Sequence, residues 1–311
     1  MDEVTSRLLG STKTDDRIRA VHRLAASGST DDLKLLLAAL RDRSNYVAGL
    51  AAAALEDQAP WELCHDLLAA FDYAMAAGPK RDPGCTVRTH LAIALGRHAY
   101  AFAADAMRAG VDCVQVEYIG GMPVDTAPPL RAACAQVLAE IRHPDALRDI
   151  GLLLFDLTER PVETASARAG AARALARLAD AAGATLLAIK LRNPTGEVPE
   201  VITECMQALI QLEDDRAHEV LIPYLDAEEL PMAAFAAMTL ARTRRVEAAE
   251  AIAGRVDRFR GELQETVVLA LARCGVPEAR DAVERLAAIG RPGAKRAAKL
   301  TMEAMGWIAP D

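Results

Sequence analysis

Residues 171–176 read Ala-Ala-Arg-Ala-Leu-Ala, and this hexad decides the fold. Ala171 and Leu175 are four positions apart, so on a helix they stand on one face, a turn above each other. The same arrangement, a small or apolar residue and then Leu four positions later, recurs at Ala20 and Leu24, Ala51 and Leu55, Leu91 and Leu95, Cys134 and Leu138, Cys205 and Leu209, Ala236 and Leu240, and Val267 and Leu271. Successive leucines are 31, 40, 43, 37, 34, 31 and 31 residues apart, the interval at which a helix pair repeats in an α-solenoid. The pattern predicts an all-α fold, a right-handed α-solenoid of about eight helix pairs, with the hexads buried on the first helix of each pair.

A second helix is expected after each hexad: Asp31–Leu40, Trp61–Ala77, Asp145–Thr158, Ala184–Leu191, Ala217–Leu225, Glu247–Phe259 and Glu278–Ala288. In the fourth unit Leu147, Ile150, Leu154 and Leu157 follow the spacing of a buried stripe, while Arg148, Asp149, Asp156 and Glu159 stay off it. Punctuation agrees with these limits. Pro60, Pro144, Pro199, Pro231 and Pro277 each stand just before an apolar-periodic run, where a missing N–H costs nothing. Ser29 or Thr30 ahead of Asp31 and Asp32 suits an N-cap. A last helix over Gly293–Met305, with Trp307 just beyond it, is placed to cover the end of the stack.

Composition narrows the class. Hydrophobic residues make up 52% and aromatics 4% of 311 residues, a core of Ala, Leu and Val that favours helix and lets helix backbones approach closely. No linker rich in Gly, Ser or Pro interrupts the repeat, so a single domain over 1–311 is expected. No apolar run approaches the length of a membrane span, and Met1-Asp2-Glu3 is not the start of a signal peptide. The expectation is a cytoplasmic protein with no membrane contact. The six cysteines (Cys64, Cys85, Cys113, Cys134, Cys205 and Cys274) lack any C-x-x-C pair and read as buried thiols. Net charge is −8 overall, yet residues 231–311 carry 13 Lys and Arg against 10 Asp and Glu, so the C-terminal quarter is basic on an acidic molecule.

The second and third units are widened. Their extra residues fall at Gly78–Gly84 and Ile119–Pro129 and read as loops. Between them, from His98 to Tyr118, a long helical stretch is expected, carrying Tyr100, Phe102 and Tyr118 in a chain with only 5 Tyr and 5 Phe. Insertions in a solenoid emerge on one face and add recognition area, which makes the region from about 78 to 130 the expected contact surface.

The segments Asp15–Ala25 (DDRIRAVHRLA) and Val87–Gly96 (VRTHLAIALG), with the Ala/Leu register around them, resemble HEAT repeats. The resemblance is to the short bacterial type also described as the HEAT-like repeats of phycobilisome lyases, and it covers nearly the whole chain. Later units keep the Ala-Leu register and lose the Val-Arg. The resemblance implies an α-solenoid that binds a partner, and it also brings enzymes into view. One HEAT-like enzyme is a di-iron hydroxylase with several His-Glu dyads; this chain has a single such dyad, His218-Glu219. HEAT-like DNA glycosylases grip duplexes on basic surfaces, for which Arg242, Arg244, Arg245, Arg255, Arg258 and Arg260 are the local cations, opposed by an overall pI of about 5.4. Nothing in the residues specifies a bilin pocket.

No catalytic signature is present: there is no G-x-S-x-G, and Gly120-Gly121 lacks the spacing and the Lys-Ser/Thr of a phosphate loop. The sequence thus predicts a non-catalytic scaffold that binds a protein or peptide, with no cofactor and no metal. Tyr100, Phe102, Tyr118 and Met122 are the expected apolar anchors, Asp125 a loop contact, and Arg148 and Arg192 polar contacts. The alternatives are an enzyme or enzyme subunit acting on a nucleobase or bilin-like ligand, and nucleic-acid or anion binding through Arg255 and Arg258.

Overall fold

The computed structural model describes residues 3–158 and 160–309. Met1, Asp2, Glu159, Pro310 and Asp311 lie outside the described residues, and with Glu159 its expected place off the buried stripe of the fourth unit. The chain divides into two compact units, Met1–Leu178 and Ala179–Asp311.

The first unit holds α1 (Glu3–Leu9), α2 (Thr14–Ser27), α3 (Thr30–Ala39), α4 (Asn45–Gln58), α5 (Cys64–Ala77), α6 (Thr86–Arg97), α7 (Ala104–Val111), a hairpin of β1 (Val116–Ile119) and β2 (Met122–Asp125), then α8 (Pro128–Glu140), α9 (Ala146–Leu154) and α10 (Ala165–Leu178). The second holds α11 (Ala181–Arg192), α12 (Pro199–Gln211), α13 (Ala217–Leu221), α14 (Leu230–Ala241), α15 (Val246–Ala253), α16 (Gly261–Arg273), α17 (Pro277–Ile289) and α18 (Pro292–Ala304).

The eight register leucines fall one each on the even-numbered helices α2 to α16, and all are between 0 and 2% exposed. Inside the first unit α2, α4, α6, α8 and α10 stack in sequence, and α3, α5, α7 and α9 form a second row beside them. Inside the second unit α12, α14, α16 and α18 make the even row, with α11 beside α13 and α15 beside α17. The hexads therefore set the packing: their small residues bring even helices together and their leucines fill the space between. One close approach is at Gly170 of α10, where a Cβ would sit 2.3 Å from the Cβ of Ala132 on α8.

Ser29 caps α3, its hydroxyl accepting the Asp32 N–H at 3.2 Å. Pro199 and Pro277 open α12 and α17. The end of the chain folds as expected, with α18 on α16 and α17 and the Arg280 guanidinium 5.0 Å from the Trp307 ring centre.

Several boundaries differ from the periodicity. Where a helix to Phe259 was expected, α15 stops at Ala253 and a short 3-10 turn, Val256–Arg258, follows. Likewise α9 ends at Leu154 and α13 at Leu221, the latter running into a 3-10 turn that contains Pro223. The largest correction concerns His98–Tyr118. Only Ala104–Val111 is α-helical there, and Tyr118 lies in a strand. The stretch expected as a loop at Ile119–Pro129 contains the other strand and the first turn of α8. The apolar content of Val114–Tyr118 fits helix and strand alike, and the Gly-Gly turn decides for the strand.

Candidate functional site

The hairpin is written in ten residues. Val116-Glu117-Tyr118-Ile119 and Met122-Pro123-Val124-Asp125 flank Gly120-Gly121, both at positive φ (60° and 85°), a conformation that glycine adopts without strain. The strands pair antiparallel, with Tyr118 opposite Pro123 and Ile119 opposite Met122. Val116, Tyr118, Ile119 and Met122 are all more than half exposed, Tyr118 at 79%. Four large apolar side chains thus stand in water on one short element.

Beneath them lies a buried polar base. Asp82 is almost fully enclosed, and its carboxylate accepts the N–H groups of Val87 (2.8 Å) and Arg88 (3.2 Å) at the start of α6, together with Arg88 Nε (2.8 Å). A carboxylate at a helix N-terminus satisfies otherwise orphaned donors and favours the dipole. Arg88, only 2% exposed, donates its remaining N–H groups to Gln115 Oε1, to Met75 Sδ (3.4 Å), to Cys85 Sγ (3.2 Å) and to Cys113 Sγ (3.6 Å). Gln115 passes the network on, its Nε2 donating to the Asp82 carbonyl (3.0 Å) and to Glu117 Oε1 (2.8 Å).

Glu117 is the inward residue of β1. It also accepts from Gly84 N (2.7 Å) and Thr126 Oγ1 (2.5 Å). Burial works to raise its carboxyl, but the hydrogen bonds from Thr126, Gly84 and Gln115 win and hold it below the usual carboxylate range. At the other strand end Asp125 accepts Gln115 N (3.1 Å), Ala127 N (3.0 Å) and Arg131 Nη1 (2.7 Å), and Arg131 also donates to the Cys113 carbonyl (2.8 Å). Both ends of the hairpin are therefore tied to α6 and α8 by charge-assisted bonds. Arg160, from the segment between α9 and α10, adds a bond to the Pro123 carbonyl at 2.7 Å.

Beside this base runs a groove of about 450 Å³ lined by Val111, Val114, Leu152, Leu153 and Phe155, with Asp112, Asp149, Asp156 and Arg131 at its polar edges. Val114, Leu152 and Phe155 are exposed. Asp149 is engaged by Arg108 (2.8 Å) and, more loosely, by Arg148 (3.5 Å).

The residues singled out by sequence separate into three places. Tyr118 and Met122 are exposed on the hairpin, and Asp125 is taken up at its base rather than offered to a partner. Arg148 is exposed on α9, next to the groove acid Asp149. Tyr100 and Phe102 form a second aromatic group, 5.5 Å apart by ring centres, with Trp61 6.2 Å from Tyr100; Tyr100 is 9% exposed and Phe102 81%. Arg192 belongs to the second unit, at a groove of about 510 Å³ with Pro223, Tyr224 and Glu219. Of these elements the sequence pointed to Asp125 alone, as a loop contact; Ile119, Val116 and the rest of the polar base carried no such mark. The signal for the hairpin was the Gly-Gly dipeptide between two short β-prone runs; the base joins residues up to 33 apart with no periodic mark.

The C-terminal cations also rearrange. Arg255 makes a bidentate pair with Asp226 (2.8 and 2.6 Å), and Arg258 donates to the Leu225 and Ala227 carbonyls, so neither stands open to an anion. Arg245 pairs with Asp215 (2.7 Å). By contrast, Arg242, Arg244 and Arg273 make no ion pair or side-chain hydrogen bond among the described residues, and all three line one groove of about 570 Å³ with Met238, Thr266 and Leu269 between α14 and α16. In the His-Glu dyad, Glu219 is held by Arg216 (2.7 Å) and His218 Nδ1 faces the Asp215 carbonyl (3.1 Å).

Leucine-registered helix pairs, stacked even on even and odd beside odd within each unit, define an all-α helical-repeat fold. No protein-family model matches the sequence, and no curated protein does. Among solved structures it is similar to the complex of CpcE and CpcF of phycocyanin lyase from Nostoc (20% identity, 88% of this chain and 94% of that chain, TM-score 0.47). It is also similar to human deoxyhypusine hydroxylase in complex with glycerol (17% identity, 88% and 94%, TM-score 0.35) and to a computationally designed armadillo repeat protein for modular peptide recognition (17% identity, 97% and 99%, TM-score 0.24).

Proposed function

We propose that the chain is a non-catalytic scaffold that docks a protein segment on the hairpin and the groove beside it. The observation that carries this reading is the hairpin itself: four exposed large apolar side chains held on a base of buried, charge-assisted bonds. Exposed apolar clusters on rigid supports mark interaction sites. The neighbouring groove adds apolar walls with carboxylates at the rim, so the segment that fits is apolar with basic flanks. An extended segment can add to the β1 edge by main-chain bonds, whereas on β2 Pro123 has no N–H and its carbonyl is taken by Arg160.

The test is photo-crosslinking from position 118 or 122, with the bound segments sequenced. Captured segments should be apolar and rich in Lys or Arg, and a Tyr118→Ser, Met122→Ser variant of unchanged helicity should lose them. Retention by that variant, or crosslinks to acidic segments, would overturn the reading.

A second reading rests on the three unpartnered arginines around the α14–α16 groove, which suit an anionic ligand with an apolar portion. Calorimetric titration with an acidic, Leu-containing peptide checks it. Binding that weakens with salt and is lost in Arg242→Gln, Arg273→Gln supports the site; no heat at low salt removes it.

A further inference from the structure

Two of the six cysteines meet at one guanidinium. Arg88 donates through Nη2 to Cys85 Sγ at 3.2 Å and through Nη1 to Cys113 Sγ at 3.6 Å, so both sulfurs lie against the terminal nitrogens of one guanidinium. Cys85 is fully buried; Cys113 is half-buried, next to the exposed Val114. We propose that Cys85 and Cys113 form a redox-active dithiol, in which Cys113 is the thiolate that reacts with hydroperoxides and Cys85 is the thiol that resolves the product to a disulfide.

The geometry separates the two roles. A thiolate, unlike a thiol, makes charge-assisted bonds to guanidinium, and it is the reactive form. The neighbouring Cys85 thiol, helped by Arg88 and Arg131, holds the Cys113 thiol below its ordinary range, while the Cys113 sulfur together with burial pushes Cys85 up. The carboxylates in the surroundings, Asp82, Asp125 and Glu117, are each occupied by two or more donors. Arg131 Nε is buried without a hydrogen-bond partner among the described residues, so positive polarity around Cys113 is not fully quenched. Elsewhere, burial raises the thiols of Cys64, Cys134 and Cys274, the last to about 11. Arg88 donates a hydrogen bond to none of these three.

In the reaction, Cys113 sulfur attacks the distal peroxide oxygen. The S–O bond forms as O–O breaks, sulfur is oxidised by two electrons, and the alcohol (water, for hydrogen peroxide) leaves with a proton. Cys85 sulfur then attacks the sulfenyl sulfur, the S–S bond forms, and hydroxide departs as water with the Cys85 proton. Two thiols and one hydroperoxide give one disulfide, one alcohol and one water. The disulfide would link the residue before α6 to the segment that enters β1.

The full-length protein treated with stoichiometric hydrogen peroxide, then alkylated and digested, tests this directly. The expected result is loss of two of six titratable thiols and a single crosslinked peptide joining Cys85 to Cys113, reversed by dithiothreitol. Cys85→Ser should instead accumulate a dimedone-reactive sulfenic acid at Cys113, and Cys113→Ser should form no disulfide. Because either variant could lose its fold, native-state alkylation of the unaltered protein is the second measurement: Cys113 should take iodoacetamide first among the six. Six intact thiols after peroxide, a disulfide between other cysteines, or alkylation of Cys113 no faster than of Cys205 would overturn the proposal. These readouts follow sulfur chemistry alone and do not depend on whether the hairpin docks a partner.

Discussion

A guanidinium at 2% exposure is tolerable only while its charge is answered. For Arg88 the answer is Asp82, itself fixed by two backbone N–H groups of α6. Asp82→Ala should therefore cost about 3–5 kcal/mol, the range for stripping one partner from a buried pair, seen as a lower urea midpoint; an unchanged midpoint would mean that water reaches Arg88. Glu117 gives a pH signature. Its carboxyl, normally near 4.5, is held lower in the folded chain, so its stabilising contribution is present above the ordinary value and is lost as pH falls through the depressed one. Glu117→Gln should flatten the fall of stability with acid, measured as thermal midpoints from pH 7 downward; parallel curves would remove Glu117 from the base. The register leucines were legible in the sequence because helical period leaves a mark every fourth residue. Arg88, Gln115 and Glu117 were not, because a polar network has no period and each member reads alone as a surface residue.

At the scale of the element, the hairpin separates recognition from support along its length, with Tyr118, Ile119 and Met122 exposed at the turn and Glu117 and Asp125 tied down toward the open end. Tyr118 points outward and Glu117 inward, one residue apart. Shortening Gly120–Pro129, which a loop reading would treat as harmless to the fold, instead removes Asp125, Thr126 and the first residues of α8 along with the tip. Such a deletion should lower the thermal midpoint as well as binding. The informative change is Tyr118→Ser with Met122→Ser, whose exposed side chains hold nothing in place: circular dichroism and midpoint should stay within about 0.5 kcal/mol of the parent. A larger loss would show that these two side chains are part of the core. The sequence carried this element in Gly120-Gly121, but a loop and a two-residue hairpin share those glycines. Only the pairing register tells them apart.

For the whole molecule, the repeat makes stability a matter of neighbours. Each even helix packs on the next within its unit, so energy is distributed along the stack rather than gathered in one centre. The contacts also gather into two units, Met1–Leu178 and Ala179–Asp311. An unpaired carboxylate placed at a register position should then act locally. Leu55→Asp sets a charge between α4 and its neighbours α2 and α6, at a cost of several kcal/mol; Leu240→Asp does the same between α14 and its neighbours α12 and α16. Hydrogen exchange read by mass spectrometry should show protection lost over α2–α6 in the first variant and over α12–α16 in the second, with the other unit nearly unchanged. If either substitution instead stripped protection evenly from all the even helices, the chain would unfold as one cooperative body, and nearest-neighbour stacking would be the wrong description of what holds it together.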